Sequence, residues 1–127
     1  MTVIERRIVG KGLAHDSALK HVMGEATYFD DMPELPGTLH AALILSPVAH
    51  GKLKSVDVSA AEKMPGVVRI ILAKDIPGHN EVGPILHGEL LFAEEIVDYR
   101  GCVIGAVAAE TMAQAVKAAH AIKLDIE

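Results

Sequence analysis

The sequence has very little of two residue types that carry special chemistry, cysteine and the aromatic residues. Cys102 is its single cysteine, and tryptophan is absent. One cysteine forms no internal disulfide and no thiolate metal cluster, so nothing in the sequence requires an oxidising compartment. Aromatic residues make up 3% of the chain, which leaves few platforms on which nucleic-acid bases could stack. We therefore expect a cytoplasmic protein that binds no nucleic acid.

Long apolar runs and surplus positive charge are missing as well. No stretch approaches the roughly 20 apolar residues of a membrane helix, and residues 1–7 lack the apolar core of a signal peptide. Lys and Arg total 12 against 17 Asp and Glu, a net charge of −5, whereas binding to phosphate backbones depends on cations. The expectation is a soluble protein without a membrane partner.

What the sequence does contain is enough apolar material for one compact core. Half of its 127 residues are hydrophobic, and a chain of this length buries roughly two-thirds of the surface that its unfolded form exposes. No low-complexity tract divides the chain. We predict an N-terminal arm over residues 1–22 and one α/β domain over residues 23–127.

Apolar and alternating segments predict six strands, at 39–45, 53–58, 67–72, 96–99, 102–109 and 123–127. The first is apolar except for His40, which is typical of a strand covered on both faces. In the last, Leu124 and Ile126 alternate with polar residues and should share one side. Two prolines make residues 30–37 a loop.

Capping residues predict the helices. A two-turn helix should run from Asp16 to Met23 and close at Gly24. The pairs Ser59/Glu62 and Thr111/Gln114 fit the capping box and should each open a helix. In the last helix the predicted apolar stripe consists of Met112, Ala115, Val116 and Ala119. Two strand–helix–strand passages then predict an α+β fold with a mixed sheet, a layout that by itself decides no function.

Candidate nucleotide and metal sites have ordinary structural alternatives. Residues 10–12 begin like a dinucleotide fingerprint, but His15 stands where the third glycine belongs, so a flexible arm is favoured. The seven histidines show no i, i+4 pair with a third ligand and no neighbouring cysteine, so zinc spacing is missing. A small zinc enzyme built from them is kept as a third hypothesis. His120 is expected near a helix C-terminus, and the other candidates are expected in or beside loops: His40, His50, His79 and His87.

Three further features could carry chemistry. Asp30 and Asp31 are adjacent carboxylates that could share a cation or a proton, yet they fit an Asx turn before Met-Pro equally well. Cys102 could be a nucleophile only beside a base, and in an apolar strand it acts as a small hydrophobe. The Gly101/Gly105 spacing favours tight turning and close backbone approach, which could serve an interface.

The order of several short stretches resembles a known family. The stretches are 24–33, 45–52, 65–68, 75–80, 83–84, 97–101 and 106–111. Over residues 23–127 the sequence resembles the N-terminal, hammerhead-like α/β domain of the xanthine dehydrogenase and aldehyde oxidase family of molybdenum hydroxylases. Many relatives follow the glycine at position 101 with glutamine, where this chain has Cys102. The shared stretches are turns and strand ends, which indicates a fold signature and not a reaction centre.

The resemblance implies a structural role inside a larger enzyme. In that family the complete enzyme hydroxylates purines or aldehydes with molybdopterin, iron–sulfur clusters and FAD, and the residues that hold these groups lie in other segments. We accordingly assign no catalytic, cofactor-binding or metal-binding residue to this chain. The implied partners are the remaining molybdopterin-binding domains and iron–sulfur and FAD subunits or domains, with self-association where an interface is exposed. The alternative hypothesis is a stand-alone binding or assembly module.

Overall fold

The computed structural model describes residues 9–85 and 88–127, and the chain divides into two compact units, Met1–Leu35 and Pro36–Glu127. The boundary after residue 22 stays a prediction. None of the helices in the described residues has the length and apolar character needed to cross a bilayer.

In the N-terminal unit, the part of the chain that the structure describes forms one short α-helix. Helix α1 spans Ala18–Met23, so the predicted helix is confirmed, with Ser17 in place of Asp16 at its N-cap. Gly24 ends it in the left-handed region (φ 74°), where its N–H donates to carbonyls of the last turn. Apart from one 3-10 turn at Phe29–Asp31, the predicted 30–37 loop has no regular structure.

The described residues of the C-terminal unit form six strands and one longer helix. They are β1 (His40–Leu45), β2 (Gly51–Asp57), β3 (Val67–Leu72), β4 (Ile96–Val97), β5 (Val103–Ala109), α2 (Met112–Ala121) and β6 (Lys123–Ile126). All six predicted strands are therefore present. They form two three-stranded sheets, with the orders β1-β5-β3 and β4-β2-β6. Every strand pair is antiparallel.

The α+β class is confirmed, but the expected mixed sheet is replaced by these two antiparallel sheets. Each predicted strand–helix–strand passage leads from one sheet to the other. The chain passes from β2 to β3 through a 3-10 turn, and from β5 to β6 through α2. Because neither passage returns to its own sheet, neither creates a parallel pair.

The predicted helix at Ser59 is wrong. A single 3-10 turn, Ala61–Lys63, stands there, without a side-chain cap. The carboxylate Oδ1 of Asp57 accepts the Ser59 N–H at 3.0 Å and the Ser59 hydroxyl at 2.6 Å. These bonds turn the Ser59 side chain back toward Asp57, and its hydroxyl caps no N–H of the following turn.

These two hydrogen bonds predict the titration of Asp57. The Ser59 hydroxyl, then the Ser59 N–H, holds the pKa of Asp57 below its ordinary value of 3.8, assisted by Lys123. Since the folded pKa is depressed, the contribution of Asp57 to stability is complete above 3.8 and is lost as the pH falls through the folded pKa. We expect Ser59→Ala to move the Asp57 carboxyl midpoint, measured by NMR, back toward 3.8. An unchanged midpoint would contradict this assignment.

Helix α2 begins as predicted, but a different stripe is buried. The Thr111 hydroxyl accepts the Gln114 N–H at 3.3 Å and donates to Gln114 Oε1 at 2.9 Å. Its buried residues are Ala115, Ala118 and Ala119, whereas Met112 and Val116 are exposed. The helix therefore presents alanine to the sheet, because small side chains allow the backbones to approach closely.

The two predicted caps give a matched pair of stability measurements. Thr111→Ala removes an acceptor from the first turn of α2 and should lower the free energy of unfolding by about 1 kcal/mol. Ser59→Ala removes a hydroxyl that caps no helix and bonds only the exposed carboxylate of Asp57, so a smaller loss is expected. Denaturant unfolding of both variants measures the difference, and equal losses would be inconsistent with a helix cap specific to Thr111.

The core of this unit lies between the sheets and α2. Ile104, Val97 and Val107 are its largest fully buried side chains. Leu124 and Ile126 are half-buried on one side of β6, as predicted. Coverage of 39–45 on both faces is wrong for the described residues, since burial in β1 alternates and Leu43 is 53% exposed. A run of apolar residues places apolar side chains on both faces of a strand, but it does not show that both faces are buried.

Candidate functional surface

Two loops that carry the family resemblance meet at one end of the sheets. Loop 46–50 joins β1 to β2, and loop 98–102 joins β4 to β5. The Ser46 N–H donates to the Cys102 carbonyl, and the Gly101 N–H donates to the Ser46 carbonyl, each at 2.9 Å. Beyond the loops, Gly51 pairs with Val97.

Ser46 fixes the first of these loops. It is 2% exposed, and its hydroxyl both donates to the Val48 carbonyl at 2.9 Å and accepts the Val48 N–H at 3.2 Å. Because a buried hydroxyl is costly without partners, these bonds make the loop conformation specific. Gly101 turns the second loop with φ 91°, as its predicted tight turn requires.

Cys102 lies one residue before β5, not within it. Its N–H donates to the Tyr99 carbonyl at 3.0 Å, and its half-buried side chain packs against the core. The free thiol therefore occupies the position of a small hydrophobe, as the sequence favours. Gly105, the second glycine of the Gly101/Gly105 spacing, is buried in β5. An added Cβ there would lie 2.5 Å from the Ile71 carbonyl oxygen. The predicted close backbone approach is thus present at Gly105.

A groove opens beside the two loops. It has a volume of about 530 Å³ and lies between the end of β1, loop 98–102, and the passage from α2 into β6. We call it the β1–β6 groove. Its apolar lining includes Leu43, Leu45 and Leu124, and Arg100 and His120 are its ionisable lining residues. The groove therefore offers an apolar surface with one permanent cation.

Asn80, which we did not single out from the sequence, holds the connection between β3 and β4. Its side chain accepts the Phe92 N–H at 2.9 Å and donates to the Phe92 carbonyl at 2.7 Å. The same amide nitrogen lies 2.9 Å from Glu94 Oε1. An asparagine that pairs with another backbone in this way replaces a missing strand neighbour. The sequence signal for Asn80 is its position in the 75–80 stretch, one of those by which the sequence resembles its family.

The candidate histidines of the C-terminal unit lie on separate elements of the described residues. His50 Nδ1 lies 3.6 Å from Asp98 Oδ1, with both side chains exposed, a contact of little energetic weight. His79 and His120 are exposed, and His40 is half-buried. His87 lies outside the described residues. In the described part of the chain, no group of three or more His, Cys, Asp or Glu side chains could hold a metal.

The N-terminal unit contains a ring cluster that sequence reasoning missed. His15 and His21 are edge-to-face with centroids 5.3 Å apart, and the Tyr28 hydroxyl lies 2.7 Å from His21 Nδ1. The Ser17 N–H donates to His15 Nδ1 at 3.2 Å. Helix α1 ends at Met23, before Tyr28, so these positions share no regular element and a sequence pattern does not reveal the cluster.

The other N-terminal candidates have structural roles. Asp31 Oδ2 accepts the Tyr28 N–H at 2.9 Å across the 3-10 turn, and Asp30 is exposed beside it. This bond runs from Asp31 back to the residue before the turn, as in a capping box, and is not the expected Asx turn. Residues 10–12 are exposed without regular structure, and no strand among the described residues precedes α1, so the context of a dinucleotide fingerprint is missing there.

Comparison with known proteins identifies this arrangement. The model of the α/β hammerhead domain of aldehyde oxidase and xanthine dehydrogenase matches residues 23–127. Xanthine dehydrogenase 1 of Arabidopsis thaliana is 47% identical over 126 residues, which cover 99% of this chain and 9% of that protein. Xanthine dehydrogenase of Oryza sativa is 44% identical over 92% of this chain and 8% of that protein.

A solved structure has the same fold. The aldehyde oxidoreductase from Desulfovibrio desulfuricans superposes with a TM-score of 0.84 and 32% identity, over 95% of this chain and 15% of that one. The fold and its two connecting loops thus define a hammerhead domain of the molybdenum hydroxylase type. The chain belongs to the aldehyde oxidase and xanthine dehydrogenase family. It spans about a tenth of the length of the curated relatives that it matches.

Proposed function

We propose that this chain is the structural, non-catalytic hammerhead domain of a xanthine dehydrogenase-like molybdenum hydroxylase subunit. The complete enzyme hydroxylates purines or aldehydes in the cytoplasm and uses molybdopterin, iron–sulfur clusters and FAD. One observation carries the proposal: 99% of this chain matches 9% of a xanthine dehydrogenase. A domain of that size within such an enzyme has the other domains as its partners.

The residues of this chain do not fit an iron–sulfur cluster. Such a cluster takes four thiolates, and Cys102 is the single cysteine of the sequence. Its half-buried side chain packs on the hydrophobic core. We assign no step of the hydroxylation to any residue of this chain, and its proposed contribution is a rigid surface for the domains that bind the cofactors.

The fold supports such a role. One face of the β1-β5-β3 sheet packs into the core, while the other carries the paired residues Ala41 and Ala108, and Leu43 and Ala106. Leu43 is 53% exposed. A second apolar sheet face is unusual for an antiparallel sheet that faces water. It is typical of a sheet that another domain covers.

The proposal is tested by comparing the isolated chain with the complete subunit. We expect the purified 127-residue chain to hold no molybdenum and to hydroxylate neither purines nor aldehydes, while the complete subunit does both. Bound molybdenum or turnover in the isolated chain would defeat the non-catalytic assignment. A stop codon directly after Glu127 would favour the stand-alone module.

A further inference from the structure

The β1–β6 groove combines an apolar floor with an unpaired cation. Leu43 and Leu45 of β1 are 53% and 48% exposed along it. Arg100 is exposed at its side, and none of its lining residues is an acid. Within the described residues, Arg100 forms no ion pair. In a protein of net charge −5, a groove lined by a cation and no carboxylate selects an acidic partner.

The groove is already formed in this chain. Loop 46–50 and loop 98–102 are joined by two backbone hydrogen bonds of 2.9 Å, and the Ser46 hydroxyl is bonded within its own loop. Little conformational entropy is therefore lost at these loops when a partner binds. Both loops also belong to the stretches by which the sequence resembles its family, and the fold gives them a common location beside the groove.

We propose that the β1–β6 groove docks an apolar segment that carries an acidic side chain, supplied by another domain of the same molybdenum hydroxylase subunit. The inference rests on the proposed function. The apolar part covers Leu43 and Leu45, and the carboxylate pairs with the Arg100 guanidinium, whose planar fork suits bidentate contact with a carboxylate. Relatives contain this region within chains about ten times as long, so a covalently linked neighbour is present at high effective concentration.

A second copy of this chain suits the groove less well. A two-fold symmetric contact uses the same patch on both copies. It would bring two Arg100 side chains to one interface, and the groove lining contains no acid to separate them. The charge of the groove therefore favours a different polypeptide segment.

Cysteine labelling tests whether the groove is covered. Leu43→Cys is placed in the isolated chain and in the complete subunit, and its reaction with a maleimide is followed at that peptide by mass spectrometry. Val68→Cys is the matched control, because Val68 is 54% exposed on β3, the opposite edge of the same sheet. We expect labelling of Leu43→Cys to slow by about 100-fold in the complete subunit, and labelling of Val68→Cys to slow much less.

The charge is tested in the same subunit. Adding Arg100→Glu to Leu43→Cys should restore labelling by about tenfold or more, whereas Lys63→Glu, a charge reversal at an exposed position of the 3-10 turn Ala61–Lys63, should leave the protection unchanged. A molybdenum-containing subunit in which Leu43→Cys reacts at the isolated rate would overturn the docking inference and leave the proposed function standing. Absence of molybdenum from the complete wild-type subunit would defeat the proposed function itself. Protection that rises with concentration in the isolated chain would identify a second copy and overturn the inference.

Discussion

Replacing Gly105 with valine is expected to lower the free energy of unfolding by about 3 kcal/mol, the upper end of the usual cost of overpacking. Gly105 is buried in β5, the central strand of its sheet, where it pairs with Ile44 on one side and Leu72 on the other. A Cβ at this position would lie 2.5 Å from the Ile71 carbonyl oxygen and 2.7 Å from Leu72 Cδ2. Since the first of these atoms is backbone, β3 itself must shift.

Gly78→Val is the matched control for this substitution. An added Cβ at Gly78 meets no atom within 4 Å, and its φ is not in the left-handed region. The two variants add the same side chain, so their difference in urea unfolding midpoint isolates the steric effect at β5. Equal midpoints would show that the β1-β5-β3 sheet tolerates a side chain at Gly105.

The strands could be predicted because their signals are local. Residues 67–72 combine β-branched residues with Pro65 and Gly66 immediately before them, and β3 spans exactly that range. Thr111 could be predicted for the same reason, since a cap and its target lie three residues apart. Ser59 has the same local pattern, but Asp57 competes for its hydroxyl. The four-residue motif from Ser59 to Glu62 does not include Asp57, which lies two residues before it.

Strand partners could not be predicted in this way. The sheet that receives β3 is decided by its pairing with β5, over 30 residues further along the chain. Nothing in the spacing of 53–58 and 67–72 shows that they belong to different sheets. The stripe of α2 was misplaced for a related reason: Met112 and Val116 are more hydrophobic than alanine, whereas close packing on β1 and β5 selects the smallest side chains.

The sequence indicated the two loops of the candidate surface, but it did not indicate that they are in contact. The resemblance marked residues 45–52 and 97–101 as turns and strand ends, and the structure places strand ends and the two connecting loops there. Their contact joins Ser46 to Gly101 and Cys102, and it depends on β1 and β5 being neighbours, a property of the folded sheet. The groove beside them follows from that contact, so no local pattern could have indicated it.

Ile104→Ala is expected to destabilise the domain by about 2–5 kcal/mol, as truncation of a buried isoleucine does in other cores. Ile104 is 1% exposed in β5 and belongs to the cluster that joins both sheets and α2. The loss includes the transfer free energy of the removed methyl and methylene groups and the cost of the cavity that they leave. Ile85→Ala deletes the same atoms from a side chain that is 86% exposed, so its unfolding midpoint should stay near that of the wild type. If both variants unfolded at the wild-type midpoint, the cluster around Ile104 would not be the core that holds the two sheets together, and the groove between their edges would lose its rigid support.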